Sequence, residues 1–154
     1  MTFEELKPKV NDIITETESL REEKLKKICH LLSDNIDYYD WVGFYFVNGD
    51  KPELILGPFA GEDTDHKVIP FGKGICGQVA VSNETFIVAD VAAQDNYISC
   101  NMNVKSEIVV PLFVDDKNIG QIDIDSNIID AFNEEDEDFL TYVNFEIAKL
   151  YKIQ

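Results

Sequence analysis

The spacing of apolar residues changes twice along the chain, and this change limits the fold more than any other feature. Leu25, Ile28 and Leu32 recur at helical spacing, whereas residues 41–47 form a run of aromatic and β-branched residues that favours a strand. Helical spacing returns after Asn133, which is a typical helix N-cap. Helices at both ends of a strand-rich middle predict an α+β fold.

The predicted elements form one domain, because 154 residues suit a single hydrophobic core. Hairpin turns at Asn48-Gly49 and at 115–117 make the adjoining strands antiparallel. We predict capping boxes that begin at Thr2 and Ser19, and helices over about 3–17 and 20–35. The domain 1–154 divides into three parts: N-terminal helices (1–36), the sheet with a ligand pocket (38–126) and a C-terminal helix (133–152).

The charge and hydropathy of the chain argue against two classes of partner, nucleic acids and membranes. The formal net charge is −17, so the surface repels nucleic acid and anionic lipid. No apolar run approaches the roughly 20 residues that span a bilayer. The N-terminus is acidic and lacks the apolar stretch of a signal peptide. We therefore predict a cytoplasmic protein with neither a nucleic-acid nor a membrane partner.

The chain has three cysteines, Cys29, Cys76 and Cys100. Their odd number and the reducing environment expected for this chain argue against a disulfide framework, and no CxxC or Cys/His pair has zinc-ligand spacing. Cys29 lies in a predicted helix and is expected in the core. Cys100 lies in a polar, irregular segment, where reactive residues are more frequent. Cys76 lies near the start of a short predicted helix, whose N–H groups favour a thiolate.

The segment Gly72–Gly77 matches the pattern GxGxxG. A dinucleotide site would need a preceding buried strand and an acid about 20 residues further on. Here the preceding segment is short and contains Pro70, and Asp90 comes too early. We interpret the glycines as a tight turn that requires positive φ and close packing.

Three acids on two predicted strands form the strongest candidate site. Asp123 and Asp125 alternate with isoleucines and share one face, and Glu107 lies on the adjacent strand. Clustered carboxylates repel, so at least one pKa should rise and provide a proton donor. The alternative is a solvated sheet face. Trp41 and Tyr45 also share a face and form either a pocket wall or part of the core.

Five segments together resemble the free methionine-(R)-sulfoxide reductases, a family of stand-alone GAF domains. They are Trp41–Tyr45, Leu54–Phe59, Gly72–Gly77, Lys105–Pro111 and Asp123–Ser126. The resemblance covers residues 38 to 150. It implies a six-stranded antiparallel sheet with the N- and C-terminal helices packed on one face and a closed ligand pocket on the other.

The resemblance also implies an activity. Free methionine (R)-sulfoxide is reduced to methionine by a thiol, and thioredoxin restores the thiol without a metal or an organic cofactor. Cys100 and Cys76 match catalytic cysteines of the family. The implied substrate-binding residues are Trp41, Tyr45, Ile98, Glu107, Asp123 and Asp125. A homodimer is compatible with the behaviour of isolated GAF domains.

Two departures from the family pattern leave alternatives open. The loop Gly61–Lys67 lacks the third cysteine of the family, and residues 96–101 retain only the isoleucine and cysteine of the family's Gly-His-Ile-Ala-Cys-Asp. Either Cys76 or an external thiol resolves the oxidised cysteine, or the domain no longer turns over. The alternatives to the enzyme are a degenerate GAF domain that binds a small amino-acid-like ligand and a purely structural or dimerisation domain.

Overall fold

A computed structural model of the chain describes residues 1–94 and 103–152. Its α-helices are α1 (Phe3–Thr15), α2 (Arg21–Asn35), α3 (Gly74–Ser82) and α4 (Glu134–Ala148). Its strands are β1 (Trp41–Val47), β2 (Glu53–Ala60), β3 (Val68–Pro70), β4 (Phe86–Val88), β5 (Ser106–Val114) and β6 (Lys117–Ser126). A short 3₁₀ turn spans Val91–Ala93.

The strands form one sheet in the order β3-β2-β1-β6-β5-β4, and every neighbouring pair is antiparallel. The predicted six-stranded antiparallel sheet is therefore confirmed. The strand β6 lies in the middle, between β1 and β5. Every second residue of β6 points to the same face of the sheet and has neighbours on both β1 and β5. Side chains from three strands can therefore lie together on one face.

The two faces of the sheet have different covers. Helices α1, α2 and α4 pack on one face, where Phe44, Ile122 and Ile124 belong to the main core. The prediction that the terminal helices share one face is confirmed. Helix α3 packs on the opposite face, over a second apolar cluster that includes Tyr45 and Val109. No helix within the described residues is both long and apolar enough to cross a membrane.

The helix ends show which capping predictions were correct. Glu5 N–H donates to Thr2 Oγ1 at 3.1 Å, which is one of the two bonds of the capping box predicted there. The predicted N-cap Asn133 forms a full capping box with Asp136 at the start of α4. The capping box at Ser19 was wrong. Helix α2 begins after Leu20 without a side-chain cap, because the Ser19 hydroxyl donates to a Glu16 carboxylate oxygen at 2.8 Å instead.

Both predicted hairpins are confirmed as antiparallel strand pairs, but only one of the two predicted turns is correct. Asp115 and Asp116 have φ values of 50° and 66°, as a two-residue turn between β5 and β6 requires. The two-residue turn at Asn48-Gly49 was wrong, because β1 ends at Val47 and β2 begins only at Glu53. Asn48 N–H donates to Glu53 O at 3.0 Å, which closes a longer loop.

Candidate active site

The three acids predicted from strand alternation lie together on the face that α3 covers. Glu107 of β5 is the direct ladder partner of Asp125 of β6, and Asp123 lies two residues before Asp125 on the same face. The three residues are 6%, 3% and 5% exposed. The alternative of a solvated sheet face is therefore wrong, because these carboxylates are covered by protein.

Cys76 lies directly against the acids. Its Sγ is 3.3 Å from Asp123 Oδ2 and 3.9 Å from Glu107 Oε2. Gln121, two residues before Asp123 on β6, donates from Nε2 to the Cys76 carbonyl oxygen at 3.1 Å. Cys76 is thus bound to β6 through both its side-chain sulfur and its backbone carbonyl oxygen.

The glycine-rich turn before α3 brings Cys76 to this position. Gly72 and Gly74 have φ values of +85° and +62°, which glycine adopts without strain. A Cβ atom at Gly77 would lie 2.6 Å from the Pro70 carbonyl oxygen. The interpretation of GxGxxG as a tight, closely packed turn is confirmed, and the turn presses α3 onto the sheet.

The electrostatics of Cys76 differ from the sequence-based prediction. Burial raises the pKa of the Cys76 thiol well above its usual value, and the charges of Asp123 and Glu107 raise it further. The predicted stabilisation of a thiolate by the start of α3 was therefore wrong in sign. A few backbone N–H groups are outweighed by desolvation and two adjacent acids.

The acids themselves follow the prediction. Burial raises the pKa of Asp123 and, together with the charge of Asp123, the pKa of Asp125. Hydrogen bonds with the Glu107 side chain act in the opposite direction on both groups. Carboxyls that share hydrogen bonds in this way must hold at least one proton among them, so the cluster contains a proton donor.

A cavity of about 140 Å³ opens beside the acid cluster. Asp125 belongs to both the cavity and the acid cluster, since it lines the cavity and lies opposite Glu107 in the β5–β6 ladder. Trp41 forms another part of the wall, and its indole N–H donates to Glu62 O at 2.9 Å. The other lining residues are Asp40, Glu62, Asp63, Thr64, Asn103, Val104 and Asn127.

Trp41 and Tyr45 have different positions relative to this cavity. The Trp41 indole stacks on the Phe59 ring at 5.5 Å between centroids. Tyr45 is 1% exposed, lies 6.4 Å from the indole between ring centroids, and donates its hydroxyl to His66 O at 2.9 Å. Trp41 is thus a wall residue, and Tyr45 supports it from the second apolar cluster.

Two buried oxygens at the site have no hydrogen-bond partner among the described residues. They are Asp123 Oδ1 and Gln121 Oε1. Sequence reasoning missed Gln121, although its position two residues before Asp123 on an alternating strand could have found it. Unpartnered acceptors are costly when buried, so the site is suited to a ligand that donates hydrogen bonds or carries positive charge.

The comparisons with known proteins agree with this arrangement. Residues 19–148 match the profile of the GAF domain. The free methionine-R-sulfoxide reductase of Escherichia coli is 37% identical over 80% of this chain and 71% of that protein. This chain belongs to the free methionine-R-sulfoxide reductase family of GAF domains.

Solved structures of this reductase family superpose closely on the chain. The reduced form from Staphylococcus aureus has a TM-score of 0.89 at 40% identity and is matched over 98% of this chain and 96% of that one. The enzyme from Neisseria meningitidis, solved in complex with its substrate, has a TM-score of 0.90 at 34% identity over 97% and 87% of the two chains. The family therefore extends over nearly the whole chain.

Two residues that the reductase resemblance implies, Cys100 and Ile98, lie outside the described residues. Their roles stay predictions. Cys29 is fully buried in the helical core, where its thiol donates to Pro58 O at 3.5 Å and burial raises its pKa. The expectation that Cys29 is a core residue is confirmed, and it lies on the opposite side of the sheet from Cys76.

Proposed function

We propose that this chain reduces free L-methionine (R)-sulfoxide to methionine, with Cys100 as the attacking thiol and Cys76 as the resolving thiol. The observation that supports this proposal most strongly is the convergence of Cys76, Glu107, Asp123 and Asp125 beside a cavity walled by Trp41. Acceptors for an ammonium group, a proton donor and a redox-active thiol are thereby present within one site.

The charges around the cavity suit a zwitterionic amino acid. Asp40 and Glu62 supply carboxylates around the cavity, Asp125 also lines it, and Asp123 Oδ1 of the adjacent acid cluster has no donor within the described structure. The substrate ammonium group is held by these acids, because it supplies the missing positive charge and hydrogen-bond donors. Trp41 packs against the S-methyl group, where its indole face gives an apolar contact.

The first chemical step transfers the sulfoxide oxygen to sulfur of the protein. The Cys100 thiolate attacks the sulfoxide sulfur and forms an S–S bond, while a buried carboxyl of the cluster protonates the oxygen. The hydroxyl group then moves to the Cys100 sulfur, so that an S–O bond to cysteine forms as the S–O and S–S bonds of the substrate sulfur break. Methionine leaves with its sulfur reduced by two electrons, and Cys100 becomes a sulfenic acid, Cys–SOH. Burial and the charge of Asp123 raise the pKa of Asp125, which favours the carboxyl form that can donate this proton.

The second step uses the thiol at position 76. Its sulfur attacks the sulfenic acid, forms the Cys76–Cys100 disulfide and releases water. At rest the Cys76 thiol is protonated, because burial and the adjacent acids raise its pKa. Asp123 Oδ2, 3.3 Å from the sulfur, accepts the thiol proton as Cys76 attacks. The high pKa of Cys76 supports a role in the later attack, and the initial attack is the role proposed for Cys100.

Recycling requires a dithiol reductant, and thioredoxin has the appropriate chemistry: it supplies two electrons and two protons to the disulfide. The reaction balances without a metal or an organic cofactor. A homodimer is a further expectation from the behaviour of GAF domains.

The test is turnover of free methionine (R)-sulfoxide with thioredoxin or dithiothreitol as the reductant. We expect methionine formation by the wild type and none by Cys100→Ser. Cys76→Ser should complete a single turnover, since only the resolving step is removed, and should then stall unless dithiothreitol reduces the sulfenic acid directly.

Cys29→Ser is the matched control, because Cys29 lies in the helical core and should not affect single-turnover chemistry. Binding of the sulfoxide without any methionine formation would instead support the binding-module alternative. Turnover that survives in Cys100→Ser would contradict the assignment of the attacking thiol.

A further inference from the structure

The atoms of Cys76, Glu107 and Asp123 that can bind a cation lie within 4.8 Å of one another, and all three residues are buried. A tetrahedral zinc ion bonded to sulfur at about 2.3 Å and to oxygen at about 2.0–2.2 Å places these ligands about 3.5 Å apart. The observed distances from Cys76 Sγ, 3.3 Å and 3.9 Å, bracket this value. The two sulfur–oxygen separations are thus close to coordination spacing, and the Glu107 and Asp123 oxygens lie within 4.8 Å of each other.

A second observation points to a ligand at the same place. Asp123 is 97% removed from solvent, yet its Oδ1 has no hydrogen-bond partner among the described residues. Gln121 Oε1, on the same face of β6, is likewise buried without a donor. Asp123 Oδ1 and Gln121 Oε1 therefore have unused acceptor capacity beside the thiol. No Lys or Arg forms an ion pair with Asp123 in the described part of the chain.

We propose that Cys76, Glu107 and Asp123 bind Zn²⁺, or a divalent cation of similar ligand preference, and that this cation excludes the sulfoxide from the site. One thiolate and two carboxylates are ligands that zinc accepts, whereas Mg²⁺ and Ca²⁺ prefer oxygen ligands alone. Coordination releases the thiol proton to the buffer and involves no redox change.

The exclusion of substrate rests on the function proposed above, since both ligands would use Asp123. A cation bonded to Cys76 also removes the resolving thiol from the reaction. Zinc would thus inhibit turnover and protect the thiol from oxidation in the same complex. The metal binding itself does not depend on any catalytic activity.

The test uses Co²⁺ as a spectroscopic substitute for zinc, added to the reduced full-length protein. We expect a near-ultraviolet thiolate-to-cobalt charge-transfer band that saturates at one equivalent and disappears when Zn²⁺ displaces cobalt. The band should be absent in Cys76→Ser. It should need at least about tenfold more cobalt in Asp123→Asn, because loss of a ligand costs more than loss of an outer-sphere contact.

Asp12→Asn is the matched control, since Asp12 is an exposed acid on α1 and its loss should leave the cobalt titration unchanged. Absence of the band in the wild type, or a band that persists in Cys76→Ser, would overturn the metal site. If Cys76→Ser fails to fold, the titration of Asp123→Asn against Asp12→Asn decides the question.

A final measurement separates this inference from the proposed function. Free methionine (R)-sulfoxide should raise the cobalt concentration needed for half-saturation, in proportion to its own occupancy. A normal cobalt band that the sulfoxide does not affect would overturn the shared site while leaving the metal ligands in place. A chain that binds cobalt but shows no turnover would refute the proposed enzyme and not the cation site.

Discussion

The central strand β6 carries two buried carboxyl groups, Asp123 and Asp125. This is unusual because a buried acid is costly to ionise. Asp123 and Asp125 both have raised pKa values, and burial is the largest cause for each. The native state therefore binds their protons more tightly than the unfolded chain does. Such an arrangement stabilises a proton donor for chemistry at the expense of folding stability.

Asp125→Asn should stabilise the fold at neutral pH while it impairs turnover. A group with a raised native pKa gives stability at low pH, and this stability is lost as the pH rises past the unfolded value near 3.8 toward the native pKa. The neutral amide has no ionisation cost, so we expect a gain of about 1–2 kcal/mol in the free energy of unfolding at pH 7. Urea unfolding as a function of pH measures it.

The difference between the variant and the wild type should be small below pH 3.8 and should grow as the pH rises. Asp12→Asn is the control, because Asp12 is exposed. A variant that is less stable than the wild type at pH 7, with turnover intact, would show that Asp125 is a structural ion and not a raised-pKa donor.

The indole of Trp41 occupies space that is available only because Gly43 and Gly61 have no side chain. A Cβ atom at Gly43 of β1 would lie 2.3 Å from Trp41 Cη2, and one at Gly61, just after β2, would lie 2.6 Å from Trp41 Cδ1. The ring also stacks on Phe59 and donates to Glu62. The orientation of this cavity wall is therefore set by the absence of side chains at two backbone positions.

Gly43→Ala should displace the indole and raise KM for the sulfoxide by about tenfold or more, with a smaller change in kcat, since misplacement of a binding group weakens productive positioning. The chain has a single tryptophan, so its fluorescence reports the displacement directly. We expect a shifted emission maximum and faster acrylamide quenching in Gly43→Ala. Steady-state assays that give KM and kcat, together with fluorescence spectra and acrylamide quenching of the same sample, test this prediction.

The double variant Gly43→Ala/Trp41→Phe supplies the control for this prediction. The smaller ring removes the contact with the indole and leaves the 2.9 Å approach to Phe59 Cβ, so Gly43→Ala should raise KM much less in the Trp41→Phe background than in the wild type. Equal losses in both backgrounds would mean that the substitution disturbs β1 generally and does not act through the indole.

At the scale of elements, the sequence predicted the order of helices and strands because each element has a strong period or a strong cap. Asn133 and the alternation around Asp123 were sufficient to place α4 and β6. The turn at Asn48-Gly49 and the cap of α2 were predicted incorrectly, because Ser19 and Gly49 form local bonds that short-range turn rules do not distinguish. Such choices depend on a few tenths of a kcal/mol of local bonding.

At the scale of the whole molecule, the candidate site depends on contacts between distant segments. Alternation in β6 predicted that Asp123 and Asp125 share a face, and the family resemblance implied that Cys76 belongs to the same site, yet neither predicted the 3.3 Å contact between Cys76 and Asp123. The direction of the Cys76 pKa shift follows from this contact and from burial, so it could not be predicted from the helix start alone. Tertiary packing determines both.

The net charge of −17 should make the stability of the whole domain depend on salt. Thirty acidic residues against thirteen basic ones repel one another more strongly in the folded state than in the expanded chain. The screening length falls from about 30 Å at 0.01 M salt to about 8 Å at 0.15 M. We therefore expect the urea midpoint to rise over this range of NaCl, and to rise less in Glu18→Lys/Glu84→Lys, which exchanges two exposed acids for bases. A midpoint that does not change with NaCl, or an equal rise in the double variant, would show that the surface acids lie too far apart in the folded state to repel.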